Sequence, residues 1–221
     1  MDHKVINLNN FIKVDNSVVS NGVTAYFRNL KEHLLHHIHE ADMVMGAVAW
    51  ITDLDILEAL SEKPTLLTIQ KEDFLRPDLS SRLKPEDKRK LHAAYAKLKP
   101  FDGSVVSIGP FYQCTDDTYK NLPPILCFGY HKKNEMYRTP RLHNKFLVFL
   151  TLKNGLYYPT SVWTGSLNLT QLSIHSLENA ILVTDNKIAS AYAEEAQIIY
   201  LLGEPLNWSS SWINPFICKK I

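Results

Sequence analysis

The chain has few of the features that mark specialised protein classes. Its 221 residues include three cysteines, Cys114, Cys127 and Cys218. The number is odd and no two form a CxxC pair, which argues against a disulfide framework or zinc knuckle and for a reducing compartment. Glycine is scarce, at 8 residues, and there is no Gly/Ser linker, low-complexity tract or internal repeat. An excess of one charge is also missing: 24 Lys and Arg face 23 Asp and Glu, a net charge of +1, so only local clustering can point to a charged partner. No apolar run approaches the roughly eighteen residues of a membrane span. The opening MDHKVINLNNF lacks a basic region followed by an apolar one, so no secretory leader is expected. A soluble, cytoplasmic protein without a membrane partner is the expectation. What remains is ordinary globular composition, 45% hydrophobic and 21% charged. The length suits one large core and would cramp two, so residues 1–221 are read as a single domain.

Periodicity gives the elements. Over residues 23–41, Phe27, Leu30, Leu34 and Ile38 recur at helical spacing and predict a helix buried on one face. Its other side carries His33, His36, His37 and His39, read as solvated because no ligand signature accompanies the His33/His37 spacing. Residues 43–50, MVMGAVAW, read as a strand covered on both faces. Asp53 caps a following helix and residues 65–70 form a second buried strand, so the β-α-β order predicts a parallel or mixed sheet flanked by helices. Residues 86–99 read as a basic helix, with seven Lys or Arg against Glu86 and Asp87 over 82–99, either a solvated face or a phosphate contact. Residues 105–108 are read as a strand, 109–139 as a long loop with one apolar run at 125–128, 177–184 as an apolar strand, and 186–202 as a helix capped by Asn186. Trp208, Trp212 and Phe216 read as packing anchors or a subunit contact.

The remaining elements are arranged around residues 141–179, which read as strand, hairpin, strand. Asn154-Gly155 is a strong hairpin signal, because both central positions of a type I′ turn need positive φ. If residues 153 and 156 close the turn, Lys145 lies opposite Thr164 and His143 opposite Ser166, and Pro159 is the place where a bulge would shift that register. His143, Lys145, Ser166 and Asn168 then converge at one end of the hairpin.

His143-x-Lys145, Gly165-Ser166-x-Asn168 and Glu178 resemble the signature of the phospholipase D superfamily over about forty residues. The common form has an Asp five residues after the Lys, where this chain has Leu150. The pattern is closer to the metal-independent nuclease and restriction-endonuclease branch, with His-x-Lys, Asn and then an acidic residue. The resemblance implies a mixed α/β sheet flanked by helices on both faces, with the site at one sheet end. It also implies a second histidine from a second motif copy. This chain has one copy, so a homodimer with the site across its twofold axis is expected.

The chemistry accounts for these residue types. A phosphodiester is already anionic, so a site must neutralise it, present a nucleophile and protonate the leaving oxygen. Lys145 and Asn168 can hold the non-bridging oxygens and Ser166 adds a hydroxyl. His143 can act as nucleophile through a phosphohistidine, or as acid, without a metal or other cofactor. A carboxylate on the far ring nitrogen would fix the tautomer, and Glu178 is the only acid in the stretch. Lys132, Lys133, Arg138 and Arg141, interleaved with Tyr130 and Tyr137, suit a nucleic-acid strand, DNA more than RNA, where cations follow the backbone and rings stack on bases. A catalytically silent binding module and a lipid phosphodiesterase are the alternatives.

Overall fold

The computed structural model describes residues 14–76, 81, 83–102, 105–112, 120–129 and 142–208. Among them eight strands form one mixed sheet in the order β1-β2-β8-β7-β6-β3-β4-β5. The strands are β1 (Val18–Ser20), β2 (Val23–Tyr26), β3 (Met43–Val48), β4 (Thr65–Gln70), β5 (Ile125–Phe128), β6 (Lys145–Lys153), β7 (Leu156–Gly165) and β8 (Ala180–Val183). The helices are α1 (Leu30–Glu40), α2 (Leu54–Ser61), α3 (Pro85–Ala96), α4 (Gly109–Tyr112), α5 (Gln171–Ile174) and α6 (Asn186–Leu201). β3 with β4 and β4 with β5 are parallel, and the other pairings are antiparallel. This is the α/β fold expected, with helices on both faces.

Strand alternation divides the core in two. One face of the sheet presents Val44, Val48, Leu67, Ile69, Leu147, Phe149 and Trp163 to α1, α2 and α3. The other presents Met43, Met45, Leu66, Phe146, Val148, Leu150 and Val162 to α4 and α6. On α6 the buried side chains Ala189, Ala193 and Ala196 recur at helical spacing, and their small size lets the helix lie close on the central strands.

Several sequence expectations change. The helix expected over 23–41 begins only at Leu30. Asn21 (φ 47°) and Gly22 (φ 77°) both take positive φ, so this second Asn-Gly pair closes a hairpin, and Val23–Tyr26 becomes a strand paired with β1 and β8. Residues 105–108 form no strand. Val106 makes a single bridge to Tyr157, and the place beside β4 is taken by the apolar run Ile125–Phe128. The α6 cap is Asp185, whose carboxylate accepts from the N–H groups of Lys187 and Ile188 at 2.9 Å each, and not Asn186. Asp53 caps α2 as expected, accepting from Asp55 and Ile56 at 3.1 Å each. Trp208 is buried with the first core, as a packing anchor should be. Trp212, Phe216, Cys114 and Cys218 lie outside the described residues. No described helix is long and apolar enough to cross a membrane.

Two histidines of α1, His33 and His37, are less solvated than their spacing suggested, while His36 and His39 are exposed as expected. His33 stacks on Tyr26, with ring centroids 4.3 Å apart. His37 lies 3.1 Å from the Tyr26 hydroxyl and packs against Phe149 and Trp163. Burial, reinforced by His36 and His33 and opposed by Glu40, lowers the His37 pKa below its ordinary 6.5. Between the folded and unfolded values the unfolded chain holds more protons, so His37's contribution to stability is full above pH 6.5 and is lost as pH falls through the folded value. The melting temperature should therefore drop between pH 7.5 and 5.5, and His37→Phe should flatten part of that slope, as followed by thermal unfolding.

Candidate active site at the end of the central strand

The site is built where β6 begins. β6 pairs with β3 on one side and β7 on the other, and Val48 lies opposite Lys145. Period two puts Lys145 on the face of Leu147 and Phe149, at the rim of the first core. Lys145 is half-buried and the preceding His143 is exposed. Lys145 Nζ is 3.2 Å from His143 Nε2 and donates to the His143 carbonyl at 3.0 Å. An ammonium has only donors, so Nε2 accepts and a neutral ring carries its proton on Nδ1. Burial pushes the Lys145 pKa down from its ordinary value, and the negative charge of Glu178 opposes that shift.

The hairpin register is as expected from Lys153↔Leu156 to Leu150↔Pro159 and then shifts by one, with Phe149 opposite Ser161 and Phe146 opposite Thr164. Thr160 is the extra residue, and its hydroxyl donates to the Phe149 carbonyl at 3.1 Å. Lys145 is therefore not opposite Thr164, and continuing the shifted register brings it level with Gly165. The bulge forms next to Pro159, whose missing N–H already interrupts the ladder.

Gly165 is needed for its lack of a side chain. A Cβ there would sit 2.3 Å from the Asn179 carbonyl oxygen and 2.7 Å from the Ala180 Cα. That close approach lets Ser166 N–H donate to the Asn179 carbonyl at 3.0 Å, while Asn179 N–H donates to Ser166 Oγ at 3.1 Å. The Ser166 hydroxyl donates in turn to the Glu178 carboxylate. A hydroxyl has one hydrogen to give, so a Ser166 bond to phosphate requires the Glu178 link to open. Glu178 stands two residues before β8 and is tied to Ser166; it makes no hydrogen bond to His143 among the described residues. Leu167 and Leu169 are buried in the first core and anchor the segment around Asn168, whose Oδ1 is buried without a hydrogen-bond partner.

The expected residues thus fall into two linked groups at one sheet end, His143 with Lys145 and Ser166 with Glu178, coupled by the charge of Glu178 on Lys145. Leu150 is fully buried against α6, on the opposite face of β6 from Lys145, where a carboxylate would be unpaired. Lys132, Lys133, Arg138, Arg141, Tyr130 and Tyr137 lie outside the described residues. Among those described, no three His, Cys, Asp or Glu side chains gather as a metal cage.

Sequence reasoning missed a third group. The Trp50 ring stands edge-on to the His143 ring, with centroids 6.1 Å apart and planes at 81°, and its indole N–H donates to Glu72 at 2.9 Å. The Gln70 side-chain Oε1 accepts from Leu142 N–H at 2.6 Å. The available signal was Trp50 and Gln70-Lys71-Glu72 ending two apolar runs, since parallel strands place site residues at their C-terminal ends.

The eight-stranded mixed sheet with helices on both faces is a fold shared with proteins of known structure. NucT from Helicobacter pylori superposes with a TM-score of 0.52 at 12% identity, covering 83% of this chain and 98% of that one. Nuc from Salmonella typhimurium, a phospholipase D family member, matches over 82% of this chain and 95% of its own at 18% identity with a TM-score of 0.49. No family model matches the sequence. The chain belongs to one family with the uncharacterized protein L381 of Acanthamoeba polyphaga mimivirus, to which it is 31% identical over 223 aligned positions, 94% of this chain and 76% of that protein.

Two outcomes are expected here. Gly165→Ala should cost about 1 to 3 kcal/mol, the usual range for overpacking, with loss of the Ser166–Glu178 link, measured by denaturant unfolding. Glu178→Gln removes the charge that opposes the effect of burial, so Lys145 should lose its proton at lower pH than in the wild type, as read by NMR titration of the lysine.

Proposed function

We propose that the chain is a metal-independent phosphodiesterase of nuclease type, acting on DNA or RNA as a homodimer. The observation that carries this reading is the half-buried ammonium of Lys145 beside Nε2 of the exposed His143, at a strand end that also holds Asn168 and Glu178. Lys145 and the Asn168 amide would take the non-bridging oxygens of the phosphate. His143 Nε2 would attack phosphorus, forming an N–P bond as the P–O bond to the leaving oxygen breaks. The partner chain's copy of the same histidine would protonate that oxygen. Water, giving its proton back to that second histidine, would then break the N–P bond and release the phosphate end.

Glu178 would act at one remove, holding charge near Lys145 while bound to Ser166. Ser166 would turn to the substrate only on releasing Glu178. Lys132, Lys133, Arg138 and Arg141 remain the proposed backbone contacts, with DNA preferred to RNA. The shared fold with NucT supports the architecture of this reading, and the chemistry rests on the side chains.

Incubation with plasmid, single-stranded DNA and RNA, with and without EDTA, tests it. Cleavage should survive EDTA. His143→Ala should abolish it, and Lys145→Ala should lower kcat by about a hundredfold or more, the usual cost of losing a group that stabilises transition-state charge. Strict dependence on magnesium or manganese would overturn the histidine mechanism. Mixing His143→Ala chains into wild type should depress activity beyond simple dilution, and an active monomer by light scattering would overturn the shared site.

A further inference from the structure

We infer that Trp50, tethered by Glu72 and supported by the Gln70 clamp, is a positioning residue that sets the orientation of the His143 imidazole. The inference deepens the proposed activity and rests on it for its kinetic consequence.

The expected orienting carboxylate is engaged elsewhere, because Glu178 accepts from Ser166 and position 150 is a buried leucine. Among the described residues, the hydrogen-bond partner of the His143 ring is Lys145 Nζ, and a lysine head on a flexible stem leaves the ring free to turn about χ2. The Trp50 edge-to-face contact supplies what is missing, since a second ring at 81° restricts the imidazole plane. Trp50 is itself fixed, because its indole N–H donates to Glu72 at 2.9 Å.

The backbone is held from the same side. Gln70 is buried, and its amide spans two neighbours, accepting from Leu142 N–H at 2.6 Å and donating to the Lys71 carbonyl at 3.1 Å. A Cβ at Gly129 would lie 2.8 Å from the Gln70 carbonyl oxygen, so the chain leaves room for this amide. Ala49 N–H donates to the Asn144 carbonyl at 2.8 Å, and the Trp50 carbonyl accepts from Leu169 N–H at 3.1 Å. Residues 49 and 50 therefore join the His143-Lys145 segment to the Asn168 segment, and the Trp50 side chain faces the histidine from that joint. A displacement of about 1 Å at a reacting group can cost about a hundredfold in rate, which is the scale on which such a wall acts.

The test uses the full chain and the variants Trp50→Leu, Trp50→Phe, Glu72→Ala and Glu72→Gln, together with the double variant Trp50→Phe/Glu72→Ala. Two readouts are taken: the NMR signals of the His143 ring protons in free protein, assigned against His143→Gln, and kcat and KM on the nucleic acid that the wild type cleaves. Trp50→Leu should abolish the ring-current shift of His143 and lower kcat by about ten- to a hundredfold, with KM within about threefold. Glu72→Ala should give a smaller loss, and Glu72→Gln should recover at least half of it, because an amide oxygen still accepts from the indole. In the Trp50→Phe background, which has no indole N–H, Glu72→Ala should have no further effect. Equal effects of Glu72→Ala in both backgrounds, or a folded Trp50→Leu with wild-type kcat and ring signals, would overturn the inference. If Trp50→Leu fails to fold, the Trp50→Phe and Glu72→Ala coupling decides the matter. If the wild type cleaves nothing, the proposed activity fails, and the ring signals alone then support or refute the positioning role.

Discussion

The hydrogen bonding of β6 on both edges is the constraint on which the molecule depends. β3 holds one side of it and β7 the other, so its side chains have no freedom to choose a face. Alternation sends Phe146, Val148 and Leu150 to α6 and Leu147 and Phe149 to the helices opposite. A central strand buried on both sides accepts a charge only where it emerges, and Lys145 sits at that point. The His143–Lys145 pair is therefore placed by the same pairing that closes the two cores, and a change that loosens the sheet centre would also disturb the candidate site at its end.

The site joins two kinds of support. Local backbone contacts hold the Ser166–Glu178 group, with Gly165 permitting an approach that no other residue allows. Contacts between distant segments hold the His143–Lys145 group, through Gln70, Trp50 and the end of β3. Electrostatics links the two, since Glu178 favours the charged form of a lysine that burial disfavours.

The legible parts of the sequence were those governed by short-range rules. Asn154-Gly155 fixed a hairpin and its first four pairs, Asp53 announced a helix start, and the apolar runs at 43–48 and 65–70 could hardly be anything but buried strands. The second Asn-Gly pair, at Asn21 and Gly22, carried the same message and was overridden by an apolar spacing that runs from Phe27 into α1. The expected strand at 105–108 was lost to competition, because β-branched residues there have the propensity while Ile125–Phe128 has the neighbour. The motif residues could be picked out, but their partners could not. That Glu178 answers to Ser166 and that His143 faces Trp50 depend on register and on loops meeting across the sheet end, which one-dimensional spacing does not encode.

The bulge at Thr160 makes the length of β7 as important as its composition. The four residues between Thr160 and Gly165 each face the way they do because that single extra residue intervenes. A regular ladder that took Thr160 into the pairing would leave all the motif letters intact while turning Trp163 out of its core and exchanging the faces of Gly165 and Ser166. Related chains should therefore keep residues that take positive φ at the Asn154-Gly155 turn, and a residue gained between Pro159 and Gly165 should be bulged out like Thr160 or matched by one in β6.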